Sequence, residues 1–596
     1  MKAIYKTIFV IGLGITSLAV SAQKDTTLTR QVLLEREYNP TLQDASKINT
    51  TPDIYTPVIK QGSINFVSST PQIKLDNNRL GASAPSDIKT NVDFTKKRGY
   101  LMLGGGTNGN LDGTAGYRIV DGERDRLDLF ANYDATSGKI NYLDKENYLN
   151  KDVKAKYSNA GVNLKYQHTF DPSILTVEAS FRNTGYNYYG NSFYPKGGVA
   201  NPYDYNSKQS VNLFTLGIGL KSSETNEGNL KYIGNIGFSH FGNKYGPTSL
   251  TDGVSGEQID LGVNVFTEYD TDKTMGIDGS IMYQTFGKED WFKNDDVYHK
   301  YMNVQGTPYL KFLGENWDVN LGANVNFLFD VKVGFSIAPD IKANVRINDV
   351  NKFYAEIGGG VNNNTFLNIL QENRYVNPAT RVEYSKTLYD AKIGFSSGVV
   401  SGLEFDVFAS YKQTNKDHLY VYYPSENISS AWSLVGTPLY ANVSTGHIGG
   451  QLKTTLIPYT DLSAKITGYF YNVKYRDGYV TMILPEAISE KKAWGRPSFT
   501  AELNADVRPM DKLTLSVNYL YGGGRKGMYV DPVPASGWTS VKMKDINELN
   551  FRGEYQVTDW LSVNARLNNI LYQRYELYYG YPLQGFNILG GVSLRF

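Results

Sequence analysis

The chain has 596 residues, no cysteine, 46 tyrosines and 58 glycines, with 60 basic side chains against 59 acidic ones. The missing thiols exclude a disulfide framework, a thiolate metal site and a lipid-modified N-terminal cysteine. A formal charge of +1 provides no field that would draw the molecule to nucleic acid or to an anionic surface.

Lys2 and Lys6 precede the apolar run 8–20, and Val20-Ser21-Ala22 supplies the small residues a signal peptidase accepts. Residues 1–22 are therefore expected to be a cleaved secretory signal peptide. That run is too short for a transmembrane helix, and no other stretch approaches the roughly 18 to 20 apolar residues such a helix needs. If the mature chain sits in a membrane, it must cross with strands. Residues 23–97 contain Pro40, Pro52, Pro57, Pro71 and Pro85, mix both charge signs and show no sustained period. They read as an extended periplasmic or lumenal tail. Its apolar stretch Val32 to Leu34 either adds as a strand to a partner's edge or is plain tether.

From Arg98 to Phe596 the chain is a series of alternating segments, and a mean hydropathy of −0.38 fits lipid-facing strands only if their other face is polar. In 175–182, Leu175, Val177, Ala179 and Phe181 oppose Thr176, Glu178, Ser180 and Arg182. In 317–327, Val319, Leu321, Ala323 and Val325 oppose Asp318, Asn320, Gly322, Asn324 and Asn326. In 403–412, Leu403, Phe405, Val407, Ala409 and Tyr411 oppose Glu404, Asp406, Phe408, Ser410 and Lys412. In 561–568, Leu561, Val563, Ala565 and Leu567 oppose Ser562, Asn564, Arg566 and Asn568.

A secreted protein of several soluble β domains would alternate in the same way, so alternation alone does not say which face meets lipid. Turn asymmetry does. The connections 270–273, 509–512 and 558–560 are tight, whereas those around 135–157, 187–208, 416–439, 477–495 and 525–544 are long. Short periplasmic turns and long outer loops are the polarity of an outer-membrane barrel. About 22 strands fit between Arg98 and Phe596, an even number that puts both barrel ends in the periplasm. The fold expected is an all-β transmembrane antiparallel barrel in the outer membrane of a Gram-negative bacterium. The polar set Glu178, Arg182, Asp318, Asn320, Asn324, Glu404, Asp406, Lys412 and Arg566 is expected to line its lumen. A wall of mixed sign suits water, hydrophilic solutes or a polar protein element.

The predicted outer loop near 187–208 concentrates Tyr186, Tyr188, Tyr189, Phe193, Tyr194, Tyr203 and Tyr205. Flat aromatic faces beside Gly and Asn suit carbohydrate at the surface, and Tyr is equally the residue of barrel girdles and loop packing. His168, His240, His299, His418 and His447 are scattered without metal-ligand spacing. No metal, cofactor or enzymatic activity is expected: the nearest catalytic-looking group, His418 with Asp417 and Ser425, reads as structural, and Asp295-Asp296 lacks calcium-loop order. Gly522 to Lys526 lacks phosphate-loop spacing and reads as a strand end running into an outer loop.

The last eleven residues alternate into a terminal aromatic, with Phe586, Ile588, Gly590, Val592, Leu594 and Phe596 on one face and Leu589 breaking the polar set. Together with 567–575 and 580–585, this end resembles that of TonB-dependent receptor barrels, with Asn569, Tyr575, Gly580, Tyr581, Pro582, Gly585 and Phe596 matching their pattern. Gln584 and Phe586 stand where that family more often has Pro and Arg. The resemblance implies that Val592, Leu594 and Phe596 signal to the outer-membrane insertion machinery. It also implies an N-terminal plug and a TonB-contacting box. Residues 23–97 are too short and too rich in proline to supply that plug, which puts TonB as a partner in doubt. The expected function is to admit or gate polar solutes across the outer membrane with a partner, such as a surface lipoprotein or periplasmic protein. The alternative is a structural barrel subunit of an outer-membrane assembly or surface-export complex.

Overall fold

The computed structural model describes residues 97–143, 152–190, 207–223, 230–245, 253–287, 299–330, 333–426, 432–475, 490–531 and 537–596. The expected signal peptide and nearly all of the expected tail lie outside them, as do Phe193, Tyr194, Tyr203, Tyr205 and Asp295-Asp296. The first strands are β1 Gly99–Gly106, β2 Leu111–Asp121, β3 Asp125–Asn141, β4 Asp152–Thr169, β5 Ser173–Tyr188, β6 Ser207–Ser222, β7 Leu230–Asn243, β8 Ser255–Asp270 and β9 Lys273–Phe286. Next come β10 Tyr301–Leu313, β11 Trp317–Phe329, β12 Val333–Arg346, β13 Asn351–Asn362, β14 Ser385–Val400, β15 Leu403–Glu426, β16 Trp432–Thr454 and β17 Thr460–Tyr475. The remainder are β18 Phe499–Met510, β19 Leu513–Gly523, β20 Lys526–Asp531, β21 Gly537–Lys542, β22 Ile546–Gln556, β23 Leu561–Asn568, β24 Glu576–Tyr578, β25 Tyr581–Pro582 and β26 Asn587–Arg595. Among the described residues a single α-helix, α1 Phe366–Glu372, interrupts them.

Strands β1 to β19, β22, β23 and β26 each lie antiparallel to the next, and β26 returns to β1 from Tyr100 opposite Arg595 to Gly106 opposite Leu589. The result is the expected closed barrel of 22 strands. Closure is what hydrocarbon demands, because an open edge would leave backbone groups without partners at several kcal/mol each.

Its two faces follow the alternation. Val162, Phe181 and Phe214 sit side by side in register on β4, β5 and β6, and their exposures of 50, 49 and 40% mark a belt that only lipid can cover. Opposite faces carry cross-strand polar contacts instead, such as Asn183 Nδ2 to Asn212 Oδ1 at 2.6 Å. At one end the turns are tight: the Asp270 carboxylate accepts from the Thr271 N–H at 2.9 Å and pairs with Lys273 at 3.0 Å. At the other end the strands overrun the wall.

Three segments expected to be outer loops are therefore largely strand, and in the first, 135–157, β3 and β4 stay paired up to Asn141 opposite Asp152. The stretch 416–439 continues β15 and β16 as one long hairpin, paired from Asp417 opposite Ala441 to Glu426 opposite Trp432. Within 525–544 lies the hairpin β20–β21, with Tyr529 paired in parallel to Tyr422 of β15.

Candidate functional site: a cap folded into the outer mouth

The β15–β16 hairpin does not stand straight above the wall. Its register shifts between Thr414 and Asp417, where two residues oppose Asn442 alone, and Lys416 takes a left-handed φ of 55°. Such a bulge bends and twists the strand that carries it. Beyond it both strand faces are covered. Leu419 and Val421, at 1 and 0% exposure, pack with Leu439, Ala441, Val473, Trp494 and Met528, while Tyr422 on the other face joins Leu434, Val435 and the tyrosines of β5. A strand buried on both faces is an interior element.

Two further segments fold inward to meet it. The first, 363–384, joins β13 to β14 and contains α1, whose N-cap Thr365 accepts from the Asn368 N–H at 3.2 Å. Phe366 of α1 packs on Phe241 and Phe286 at ring distances of 5.8 and 6.0 Å, and its N–H donates to Gln284 Oε1 at 3.1 Å. The second, 569–586, joins β23 to β26. Asn569 starts its turn by bonding both the N–H and the carbonyl of Gln573, at 3.0 and 2.7 Å. Tyr575 donates to Glu548, and Arg525 clamps the ribbon β24–β25 by donating to the carbonyls of Gly495 (3.2 Å), Glu576 (2.6 Å) and Leu577. Gln584 spans to Thr136 and Asn110. Most of the residues that carry the family pattern therefore build this inward turn.

The segments meet at a tyrosine cluster. Tyr375 of the first stacks on Tyr581 of the second at 3.8 Å and 18°, and Tyr189 stands edge-on to both at 5.7 and 5.1 Å. The Tyr189 hydroxyl donates to the Pro582 carbonyl at 3.0 Å, that of Tyr188 to the Val376 carbonyl at 3.3 Å, and that of Tyr581 to the Leu434 carbonyl. At Gly190 a Cβ would fall 2.6 Å from the Tyr581 ring, so only glycine allows this approach. As a result β5 and β16 touch, although they stand eleven places apart on a ring of 22 and so face each other across the lumen.

Charge ties the cap to its rim. His418 Nε2 lies 2.8 Å from a Glu372 carboxylate oxygen, and Arg496 donates to Asp417 at 2.7 Å and to the His418 carbonyl at 3.2 Å. Burial opposes the charge on Asp417, but Arg496 outweighs it and holds that carboxyl below its ordinary value. His418 and Asp417 thus have separate ionic partners, as a structural grouping does. Among the described residues no three His, Asp or Glu side chains gather as a metal site.

Tyr186, Tyr188 and Tyr189, weighed as surface contacts for a ligand, are 4, 7 and 2% exposed. Ring packing in the cap withdraws them from the surface. The polar residues read as lumen lining lie on the strand faces opposite the apolar belt, spread around the ring on β5, β11, β15 and β23 and not gathered at one point. Glu178 accepts from Asn163, Asp318 from Asn344 at 2.8 Å and Asp406 from the Tyr354 hydroxyl at 3.0 Å. Asn324 joins Thr307 to the Gly359 carbonyl, Arg566 pairs with Asp112, and Asn320, Glu404 and Lys412 are half-buried while Arg182 is exposed. Sequence reasoning missed Tyr375 and Arg525, which sit in irregular stretches without a period, and Glu372, which ends a helix of only seven residues.

No protein-family profile and no curated protein matches the chain. Solved structures do. The FrpB iron transporter from Neisseria meningitidis aligns at TM-score 0.64 and 10% identity, over 84% of this chain and 82% of that one. The ferric enterobactin receptor PfeA from Pseudomonas aeruginosa aligns at 0.61 and 11%, over 84 and 80%. The ferripyoverdine receptor of the outer membrane of the same organism aligns at 0.57 and 14%, over 84 and 72%. The molecule is a closed β-barrel of 22 strands. Its fold is that of TonB-dependent receptor barrels, so the likeness seen at its C-terminal end extends to the whole ring.

Proposed function

We propose that this barrel admits polar solutes across the outer membrane through a mouth kept shut by its own cap, working with a partner that opens it. The observation that carries the reading is the cap, which joins opposite walls above a polar lumen. A 22-strand ring is wide enough to breach the membrane if left empty, which gives such a cap its physical purpose. We assign residues 1–22 as signal peptide, 23–97 as a tail in the periplasm or lumen, and 98–596 as the barrel. The mixed-sign polar wall favours hydrophilic cargo. Because the similar solved proteins are iron and siderophore receptors, ferric chelates are the first solutes to try.

In planar bilayers the intact protein is expected to be silent, and a variant with 417–441 replaced by a short turn to conduct strongly. Free conduction by the intact chain, or silence of the folded variant, would reject the capped-path reading. Pull-down from native membranes identifies the partner: a stoichiometric surface lipoprotein supports uptake, whereas assembly or export machinery favours a scaffold.

A further inference from the structure

Among the described residues, the seam between β12 and β13 is only half closed although both of its strands run on past the last pair. Strands β12 and β13 pair from Arg346 opposite Lys352 up to Ile341 opposite Ile357, and there the ladder stops, although β12 continues to Val333 and β13 to Asn362. Above that point β12 remains paired to β11 and β13 to β14, so both strands are intact and only their junction is missing. Such an edge is costly at membrane depth. One of its orphan groups, the Phe335 carbonyl, is capped by Lys386 Nζ of β14 at 3.0 Å, and Pro339 has no N–H to leave unpaired.

β13 leaves the wall on the lumen side. Its Gly359 carbonyl accepts at 2.7 Å from Asn324, which points inward from β11 two strands away, and a Cβ on Gly359 would lie 2.8 Å from that of Ala338, an inward residue of β12. The departure occurs at Gly358-Gly359-Gly360, where the register to β14 slips and Gly360 adopts a φ of 138°. Beyond it Val361 packs inside the lumen against Met282, Tyr301 and Leu328. On the vacated side of β12, Val333, Phe335 and Ile337 are exposed at 76, 57 and 63%, among the most exposed apolar side chains of the belt. A few residues on, β13 becomes the segment that bears α1 and Tyr375.

The unzipped seam and the inward segment are therefore one displacement. We infer that the β12–β13 seam is the hinge of the gate: zipping β13 onto β12 draws 363–384 out of the lumen, and unzipping lets it fold back in. Extending the observed register places Ile337 opposite Val361. The seam then supplies the ladder hydrogen bonds that offset the loss of cap packing, so the two states trade one set of contacts for another. A solute or partner that competes for the cap need not do all the work of opening.

This inference rests on the capped-path reading, and the experiment separates the two. In the full-length protein, which has no cysteine of its own, Ile337→Cys with Val361→Cys places one thiol toward lipid and the other in the lumen. They can join only when the seam zips. Oxidation is expected to form the disulfide, confirmed by mass, and to raise bilayer conductance, with reductant restoring silence. Ala343→Cys with Ala355→Cys, across the part already paired, should cross-link without changing conductance. Gly359→Val, whose side chain has no room in the inward position, should raise conductance without any oxidant. Failure of the first pair to cross-link when the control does, or a formed cross-link that stays silent while the hairpin-replaced barrel conducts, overturns the hinge alone. Silence of the hairpin-replaced barrel as well overturns the reading beneath it.

Discussion

Glu576 sits on the ribbon β24–β25 with its carboxylate 3.1 Å from the Gly580 N–H. Burial pushes this carboxyl up from 4.5 to about 7, against the opposing pull of the Gly580 hydrogen bond and the Arg525 charge. A folded value above the free one means that its contribution to keeping the ribbon docked is full below about 4.5 and is lost as pH rises through about 7. Between about pH 5 and about pH 8 that loss is on the order of 2 kcal/mol. Hydrogen exchange of backbone amides in 575–583, corrected for its intrinsic pH dependence, should accelerate over this range. Glu576→Gln should flatten the profile. An unchanged slope in the glutamine variant would remove Glu576 from the cap's energetics.

At the scale of elements, the bulge in β15 decides whether the hairpin covers the mouth or projects from it. Deleting Lys416 removes the surplus residue opposite Asn442 and restores an even ladder while keeping Thr414 opposite Val443 and Asp417 opposite Ala441. The hairpin should then extend straight, exposing Leu419, Val421 and Tyr422, and chymotrypsin should cut whole cells or proteoliposomes at Leu419 or Tyr422, where the intact protein resists. Equal resistance would mean that packing alone bends the strand.

This hairpin also marks where the sequence stopped being legible. Wall strands alternate because one side meets lipid and the other the lumen, so their number, their tight turns and the closing pair β1–β26 could be read directly. Leu419 to Tyr423 carries apolar or aromatic residues on every position, and without a period the stretch read as loop. The lost alternation was itself the signal of a strand buried on both faces. The tyrosines near the end of β5 were noticed for their density, but a sequence does not say that backbone carbonyls 188 and 393 residues away accept from their hydroxyls.

For the molecule as a whole, the C-terminal strand is held on both sides. Leu594 lies opposite Leu101 of β1 and Leu561 of β23, and the Phe596 ring stacks on Tyr117 at 6.2 Å. Removing Leu594 to Phe596 takes away the last rungs of two ladders and the terminal aromatic together. Secretion should continue, while the heat-modifiable folded band in the outer membrane disappears and periplasmic fragments accumulate. Normal amounts of folded protein after that deletion would contradict the need for a complete closing strand.

The cap draws its parts from β5, from 363–384, from the β15–β16 hairpin and from the ribbon near the C-terminus, whereas all but one of the junctions in the wall join strands that are close along the chain. Contacts between distant parts of a chain form after local ones, because more chain must be ordered to make them. The final partner, Tyr581, belongs to a segment that cannot settle until β26 has docked beside it. On that argument each newly inserted molecule is expected to complete its ring before its cap settles. Under the capped-path reading proposed above, the leakiness of a growing cell to small polar compounds is expected to rise with the share of its barrels that are young.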